Sequence, residues 1–218
     1  VSTLNLALPI NGFLLAVNFS LTILPISLSC QNNRDPIIEQ LVLLFKQTSK
    51  VLEIGSGTGQ HAAWFAPRLP WLDWQPSDLE NRQDDINKWL HAYPAPNLCK
   101  PIVLNVCEAW PKTPYDAVFS ANTSHILSWK NVKYMITGAA SVLPKDGIFC
   151  LYGPFKFRDI DMAPSNIAFD KRLKESSPNR GLRQVEMIDE IAQRLGLQMT
   201  GNLSMPKNNR ILSWRKSK

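Results

Sequence analysis

The sequence predicts an α/β fold in which a doubly wound, mainly parallel sheet carries an antiparallel strand at its edge. The first observation is that short apolar, β-branched runs alternate with segments of helical spacing along most of the 218 residues. The second is the stretch VLEIGSGTGQHAAWF, residues 51–65, in which three glycines separate a strand pattern from a helix pattern. The third is that the last two strand patterns flank PKNN, which predicts a closing hairpin.

Each element has its own local signal. The first helix is predicted in DPIIEQLVLLFKQ, with Asp35 as N-cap and Pro36 as first residue, where the missing N–H of proline is harmless. Later helices are predicted in TGQHAAWFAPRL, NRQDDINKWLHAY, VKYMITGAASVL and residues 165–173 and 184–195. Strands are predicted in KVLEIGSG, WLDWQPSD, PIVLNV, DAVFSAN, IFCLYGPF, LQMTGNLSM and RILSWRK. Ligands of such sheets bind beyond the carboxyl ends of the strands, so the loops there are the candidate site.

The beginning of the chain has a different character. Its first 33 residues contain no charged side chain, and Arg34 is the first. The segment lacks the positive start of a secretory signal, and polar residues and Pro25 interrupt the apolar run that a transmembrane helix needs. We therefore expect residues 1–30 to be an uncharged apolar extension outside the fold, from an overextended start assignment, and residues 31–218 to form the domain. A membrane-associating segment is the alternative, and no stable membrane insertion is expected.

The composition is that of an ordinary globular protein, with 44% hydrophobic and 19% charged residues. The net charge of +6 is not gathered in a long Lys/Arg block, and no basic stripe is interleaved with aromatic residues, so nucleic acid is not an expected partner. The four cysteines show no CxxC spacing and the three histidines suggest no cluster, which predicts free thiols, no metal site and a reducing, cytoplasmic location. The sequence leaves the oligomeric state open.

The glycine turn predicts a binding site for S-adenosylmethionine. Gly55, Gly57 and Gly59 form G-x-G-x-G, whereas a dinucleotide turn would have its third glycine at the position of Gln60. Without a pyrophosphate to cradle, the turn suits the amino-acid end of S-adenosylmethionine, whose carboxylate would face the free N–H groups of the following helix. Glu53 is placed to favour the ammonium group. The alternative is a turn that only connects strand and helix.

Further donor-binding residues are predicted where the next strands end. Asp78 ends the second strand, where a carboxylate accepts hydrogen bonds from two ribose hydroxyls; capping the next helix is its alternative role. Asn105 would bind the adenine edge, and Val106 would pack on the adenine face. The whole predicted donor set is Glu53, Gly55, Ser56, Gly57, Gly59, Gln60, Asp78, Asn105, Val106 and Ser120.

Several stretches together resemble a known family: NNRDPI, VLEIGSGTGQHA, WQPSD, FSANTSHILSW, FCLYGPF and NNRILSWR. They are similar to the methyltransferase-like family DUF938, which is related to methyltransferase-like protein 26, from about residue 32 to the C terminus. The glycine motif is shared by many class I methyltransferases, whereas SANTSHI, LYGPF and the final NNR are more specific. The resemblance implies the seven-stranded, Rossmann-like class I methyltransferase fold with S-adenosylmethionine as donor. It implies no substrate.

The acceptor site is predicted from the loops after the fourth and fifth strands and from the final hairpin. His125 is the candidate base, because the ordinary pKa of imidazole lies near neutrality; a helix-start histidine bonded to backbone is the alternative. Asn122 would orient the acceptor and Tyr152 would wall its pocket, with ordinary packing as the alternative for Tyr152. The expected substrate-binding residues are Arg34, Phe155, Asn208, Asn209 and Arg210. Phe155 would wall the pocket together with Tyr152. The other four would bind an anionic or carbonyl-bearing group, unless the asparagines only form the turn.

The sequence favours methyl transfer to a small molecule, with a protein side chain left open as acceptor. SANT stands in place of the D/N-P-P-Y loop of nucleic-acid amino-methylating enzymes, and no Pro-Cys pair follows a strand. One alternative is an S-adenosylmethionine-binding protein without catalysis. The other is an NAD(P)-dependent short-chain dehydrogenase, since Tyr152 and Lys156 have Y-x-x-x-K spacing. Gly153 and Pro154 would break the helix that a dehydrogenase site needs.

Overall fold

The computed structural model describes residues 3–10, 13–20 and 23–217, with side chains described from residue 23 onward. Near the start, β1 (Thr3–Ile10) pairs antiparallel with β2 (Phe13–Ser20). Among the described residues this pair forms a sheet of its own, separate from the main sheet. The expected extension, residues 1–30, falls in part on residues 1, 2, 11, 12, 21 and 22, which lie outside the described residues.

A seven-stranded sheet forms the centre of the molecule, as expected for the class I methyltransferase fold. Strands β3 to β11 comprise Lys50–Ile54, Asp73–Asp78, Ile102–Val103, Ala117–Ala121, Ile148–Gly153, Phe155–Lys156, Arg183–Gln184, Leu197–Met205 and Asn209–Lys216. The strand order is β10-β11-β7-β6-β3-β4-β5, and β8 pairs separately with β9. The neighbouring strands β5, β4, β3, β6 and β7 pair in parallel. Strand β11 is antiparallel to both of its neighbours, β7 and β10. The antiparallel strand therefore lies just inside the edge strand, and the predicted hairpin is confirmed.

Helices cover both faces of the sheet, which confirms the doubly wound architecture. Helices α1 to α6 comprise Leu28–Leu44, Gln60–Phe65, Gln83–Ala92, Trp129–Val142, Pro164–Ser176 and Val185–Arg194. One apolar cluster joins α4 and α6 to Leu52 and Val118, and another joins α1 and α2 to Val51 and Phe119 on the opposite face. Successive side chains of a strand point to opposite faces, so both faces of β3 and β6 are buried. No helix in the described part of the chain is long and apolar enough to cross a membrane.

The start of the first helix differs from the prediction. Helix α1 begins at Leu28, where the Ser27 hydroxyl accepts a hydrogen bond of 3.4 Å from a backbone N–H of the first turn. Asp35 and Pro36 lie inside the helix, so their predicted roles as N-cap and first residue are wrong. The helix continues past the proline because Ile37, the next residue, and Leu41, one turn further on, are fully buried in the core.

The residues just before and within the start of α1 contact the rest of the domain. The Trp89 indole N–H donates to the Pro25 carbonyl at 2.6 Å, and the Ser27 N–H donates to the side-chain oxygen of Gln60. These contacts join the segment to α3 and to the beginning of α2. Pro25 and Ser27, which the sequence assigns to the extension, therefore contact two helices of the domain.

Candidate functional site

The glycine turn follows β3, and its three glycines all adopt left-handed backbone conformations, with φ of +72°, +61° and +85°. They are needed for different reasons. A Cβ on Gly55 would lie 2.5 Å from the Thr123 hydroxyl, and one on Gly59 would lie 3.0 Å from the Ile86 Cα. A Cβ on Gly57 would meet no described atom within 4 Å. Gly55 and Gly59 therefore permit close packing, whereas Gly57 borders open space.

Backbone amides of the turn are held by the neighbouring strand β4. The N–H groups of Gly55 and Ser56 both donate to the Ser77 carbonyl at 3.0 Å. The Asp78 carboxylate accepts from the Gly57 N–H and, through its other oxygen, from the Leu79 N–H, each at 2.7 Å. Asp78 thus fixes the turn at the point where it faces open space. Each carboxylate oxygen retains a further lone pair for another donor.

Glu53 lies beneath the turn rather than on its surface, with only 1% of the residue exposed. Its carboxyl group accepts hydrogen bonds from the Trp74 indole at 3.0 Å and from the Ser56 hydroxyl at 2.9 Å. Burial raises the pKa of Glu53 to about 7; these two hydrogen bonds act against that shift, and the charge of Asp78 adds to it. Near neutral pH the turn therefore stands above a carboxyl group that is close to half ionised.

The remaining predicted donor residues mainly hold the backbone in place. The Ser120 hydroxyl donates to the Ile54 carbonyl at 2.9 Å and so joins the ends of β6 and β3. The Asn105 side chain accepts from the Cys107 N–H at 3.1 Å and donates to Glu108 at 2.8 Å. Asn105 thus forms a turn, and the predicted third strand is limited to the two residues of β5. Val106 is buried in the core, 8% exposed.

A cleft of about 560 Å³ is linked to the turn through Asn122 and Thr123, and no residue of the turn itself lines it. Thr123, which contacts Gly55, follows Asn122, and Asn122 lines the cleft. The structure thereby brings Asn122, Tyr152 and Asn209 together from two strand ends and the hairpin. The other lining residues come from α1, α5 and two loops: Ser29, Asn32, Asn33, Pro36, Pro154, Ser165, Asn166, Phe169, Arg172, Pro206 and Lys207.

Tyr152 sits between asparagines at the base of this cleft. Only 2% of the residue is exposed. Burial raises the pKa of its hydroxyl, and hydrogen bonds with Asn33 and Asn209 partly oppose that shift. The hydroxyl is therefore protonated at neutral pH and can donate a hydrogen bond as well as accept one.

His125 does not line the cleft. It is 4% exposed and packs edge-on against Phe169, with 5.3 Å between ring centroids. Its Nδ1 has no hydrogen-bond partner among the described residues. Burial, followed by the charge of Arg183, lowers the pKa of His125 to about 4, so the imidazole is neutral at pH 7. Gly153 lies between His125 and Asn122, since a Cβ built on it would lie 3.8 Å from Nδ1 and 3.6 Å from the Asn122 side-chain oxygen.

The predicted substrate-binding residues divide among three places. Asn209 lines the cleft, and with Phe155, Asn208 and Arg210 it also lines a smaller cavity of about 180 Å³. The Arg34 guanidinium instead stacks 3.5 Å above the ring centre of Trp64 and does not line the cleft. The Asn208 amide donates to the Ser165 hydroxyl at 3.1 Å, and Asn208 has φ +58°, so the turn role of this asparagine is present in the structure.

The sequence predicted only Asn122, Tyr152 and Asn209 among the lining residues, and those it missed include Asn33, Asn166, Phe169, Arg172 and Lys207. A signal existed for α5, because Ser165, Phe169 and Arg172 have the i, i+4, i+7 spacing of one helical face. No comparable local signal marks Asn33, since its position depends on where α1 begins.

Asn33 also belongs to a buried group with Cys30 and His61. His61 Nε2 lies 2.8 Å from the Asn33 side-chain oxygen, and His61 Nδ1 lies 3.8 Å from the Cys30 sulfur. Burial raises the pKa of Cys30 and lowers that of His61 to about 4. A thiolate–imidazolium pair, which a cysteine nucleophile needs, is therefore disfavoured, and the group serves to join α1 to α2.

Comparisons with known proteins identify the family and the fold of the chain. A family model described as "Protein of unknown function (DUF938)" matches residues 25–216. Among solved structures, an O-methyltransferase family protein from Burkholderia thailandensis is similar with a TM-score of 0.70 and 18% identity, over 86% of this chain and 60% of that one. Human N-acetylserotonin methyltransferase, in complex with S-adenosylmethionine, is similar with a TM-score of 0.74 and 10% identity, over 87% and 53%.

A third similar structure is the S-adenosylmethionine-dependent methyltransferase SibL in its apo form, with a TM-score of 0.75 and 16% identity, over 87% of this chain and 56% of that one. At these identities the likeness establishes the fold. This chain spans 60% or less of the length of these three structures. The family match begins at residue 25, six residues before the domain boundary that the sequence predicts.

Proposed function

This chain belongs to the DUF938 family and has a methyltransferase-like fold, and from that premise we propose that it transfers a methyl group from S-adenosylmethionine to a small molecule. The observation that carries the proposal is the open backbone at Gly57, which follows the carboxyl end of β3 and is held by Asp78 at the end of β4. In open α/β sheets that is where ligands bind. The cleft beside it supplies a separate place for an acceptor.

The residues of the turn suit the proposed donor. When bound, S-adenosylmethionine supplies an electrophilic methyl group on a positively charged sulfur. Gly57 allows a ligand to approach the backbone without meeting a side chain. Asp78 keeps free lone pairs for ribose hydroxyls, and Glu53 favours a cationic ligand through its field from beneath the turn. We propose the rest of the predicted donor set in supporting roles, with Ser56, Gly59, Gln60 and Ser120 holding the turn and Asn105 and Val106 forming the adenine side.

We propose that the acceptor binds in the cleft, where Asn122 orients it and Tyr152 forms the wall and donates a hydrogen bond. His125 is the proposed base and would act through a bridging water, because it does not line the cleft itself and its Nδ1 has no hydrogen-bond partner among the described residues. Its lowered pKa makes it a weak base, suited to an acceptor that loses its proton easily. His125→Ala should then slow methyl transfer and leave donor affinity unchanged; equal loss of both would assign the histidine to the fold alone.

Titration calorimetry with S-adenosylmethionine, S-adenosylhomocysteine, NAD and NADP tests the donor. We expect the first two to bind and the others not to bind, since Tyr152 in β7 and Lys156 in β8 do not share a helical face as a dehydrogenase pair would. NAD binding without S-adenosylmethionine binding would overturn the proposal. A transfer assay with isotopically labelled donor and a metabolite extract then separates an enzyme from a protein that binds the donor without catalysis.

We further propose that the protein works in the cytoplasm. Its four cysteines are unpaired in the structure, as is usual in a reducing compartment. Microscopy of the tagged full chain tests this location.

A further inference from the structure

We propose that the acceptor is a small oxyanion, bearing a carboxylate or phosphate group that Arg172 and Lys207 bind. This inference rests on the proposed function, because it names the class of molecule that occupies the acceptor cleft. It concerns residues that lie outside the donor turn. Their contribution can therefore be measured separately from donor binding.

The first support is a pair of cations without counter-ions. Arg172 projects from α5 and Lys207 from the turn before β11, and both line the cleft. Neither is within ion-pair distance of a carboxylate in the part of the chain that the structure describes. The Arg172 guanidinium lies 5.8 Å from the ring centre of Phe169, another lining residue, which keeps the charge at the cleft wall.

The second support is that none of the described residues lining the cleft is acidic. The nearest acids along the chain are directed elsewhere. Asp170, next to Phe169, accepts from the Leu182 N–H at 2.6 Å and pairs with Lys174. Asp35 is 65% exposed and lies 3.9 Å from Arg34. Arg172 and Lys207, which are both exposed, therefore face the cleft without an acidic lining residue to compensate their charge.

The third support is the backbone at the hairpin turn. Lys207 has φ +57° and ψ 39°, a left-handed conformation that is unfavourable for a lysine. Such strain persists where the surroundings impose it, and it is frequent at ligand sites. Here it holds a lysine at the cleft in a position where asparagine or glycine would be the easier residue.

The neutral lining indicates what else the acceptor carries. Asn33, Asn122 and Asn166 offer amide donors and acceptors, which suit hydroxyl or carbonyl groups. Phe169 and Pro154 provide flat apolar walls. A planar or apolar body with one anionic end fits this lining, and 560 Å³ lies in the range of small-molecule sites.

Binding of benzoate, phenyl phosphate and their uncharged analogues benzyl alcohol and benzamide tests the proposal by saturation-transfer NMR on the full chain. We expect the two anions to bind roughly tenfold or more tightly than the uncharged probes, as charge-assisted hydrogen bonds imply. Their affinities should fall with added salt. The anion that binds more tightly shows whether the acceptor carries a carboxylate or a phosphate group.

Two variants locate the effect. Arg172→Gln and Lys207→Asn remove the charges, and asparagine tolerates the left-handed backbone, so both variants should fold. Each should lose most of the preference for the anion. Lys171→Gln is the matched control, because Lys171 lies on the same helix, is 79% exposed and is paired with Glu175 outside the cleft. Equal binding of charged and uncharged probes, or equal losses in the control, would overturn the proposal.

Donor binding is measured on the same three variants. We expect S-adenosylmethionine affinity to be unchanged in all of them, because neither cation belongs to the turn. If the wild-type chain binds the anions but not S-adenosylmethionine, the proposed function fails while the anion site stands. If it binds S-adenosylmethionine but shows no preference for anions, only the acceptor class is wrong.

Discussion

Substitutions of single glycines in the turn distinguish effects on stability from effects on donor affinity. Gly57 has the left-handed backbone but open space around its missing side chain. Gly57→Ala should therefore lower the free energy of unfolding by about 1–2 kcal/mol, the cost of placing alanine in this conformation. We expect it to weaken S-adenosylmethionine binding more than about tenfold, because the added methyl group stands where the ligand approaches. Calorimetry and urea unfolding measure the two effects.

Gly59→Ala is the matched control for this prediction. Its Cβ would lie 3.0 Å from the Ile86 Cα, so it should destabilise the fold more than Gly57→Ala does. Normal donor affinity in Gly57→Ala would show that the open space is not the donor site.

Glu53 links the same turn to pH. Its pKa of about 7 in the folded chain lies above the ordinary value of 4.5, so its contribution to stability is complete below pH 4.5 and is lost as pH rises through 7. Glu53→Gln keeps an acceptor for the Trp74 and Ser56 hydrogen bonds. We expect this variant to be more stable than wild type by about 2–4 kcal/mol at pH 8 and nearly equal to it at pH 4.5.

Measuring Glu53→Gln at both pH 4.5 and pH 8 makes the test specific, because a change in packing would alter stability equally at the two pH values. Urea unfolding at pH 4.5 and 8 gives the comparison. The variant should also bind S-adenosylmethionine more weakly at pH 8, since it lacks the negative charge beneath the turn. A stabilised variant with unchanged donor affinity would leave Glu53 with no role in binding.

At the level of whole elements, the start of α1 decides where the domain begins. Removing residues 1–22 should leave the melting temperature and donor affinity unchanged, because the family match begins at residue 25. Removing residues 1–30 should lower the free energy of unfolding by roughly 1–3 kcal/mol, through loss of the Ser27 cap and the Trp89–Pro25 hydrogen bond. Thermal and urea unfolding of both truncated chains measure the difference.

A point variant of the full-length protein is the control for the two truncations. Ser27→Ala in the full-length sequence should reproduce only the part of the loss that belongs to the cap. If the two truncations are equally stable, the contacts of this segment contribute nothing, and the domain begins near residue 31, as the sequence suggests.

Elements with strong local signals were predictable, and the cleft was not. The strands and the glycine turn follow from apolar runs and glycine spacing within about ten residues. The start of α1 was mispredicted because Asp35–Pro36 is a strong local signal, whereas Ser27 sits in an uncharged segment that gives no helical pattern. Arg172 and Lys207 meet Asn122 only through the sheet order, which local patterns do not specify. His125 was predictable as a residue of this loop, but its burial behind Phe169 was not.

The molecule as a whole should lose stability in acid. His61 and His125 both have pKa values lowered to about 4 by burial, so their contribution is complete above the ordinary value of 6.5 and is lost as pH falls through 4. Between pH 7 and pH 4 each histidine lowers the free energy of unfolding by about 3 kcal/mol. Glu53, whose pKa is raised, increases it by a similar amount over the same range. We expect a net decrease of about 3 kcal/mol between pH 7 and 4, measured by urea unfolding.

The same experiment on Glu53→Gln gives the control for this balance. The variant lacks the Glu53 carboxyl group, which would take up a proton in the folded chain as pH falls. It should therefore lose about twice as much free energy of unfolding as wild type between pH 7 and pH 4. Parallel pH profiles for the two proteins would mean that other titrating groups, rather than these two histidines and Glu53, control the stability of the fold in acid.

The cleft draws its lining from residues 29 to 209, nearly the whole span of the chain. Contacts between such distant segments form late in folding, because closing long loops is entropically unfavourable. During synthesis the glycine turn and its flanking elements emerge early, whereas the turn before β11 emerges almost last. A growing polypeptide would therefore hold the donor side long before it could hold an acceptor. Under the proposed function, methyl transfer would therefore be restricted to chains synthesised past the turn before β11, and shorter nascent chains would not modify a wrong compound.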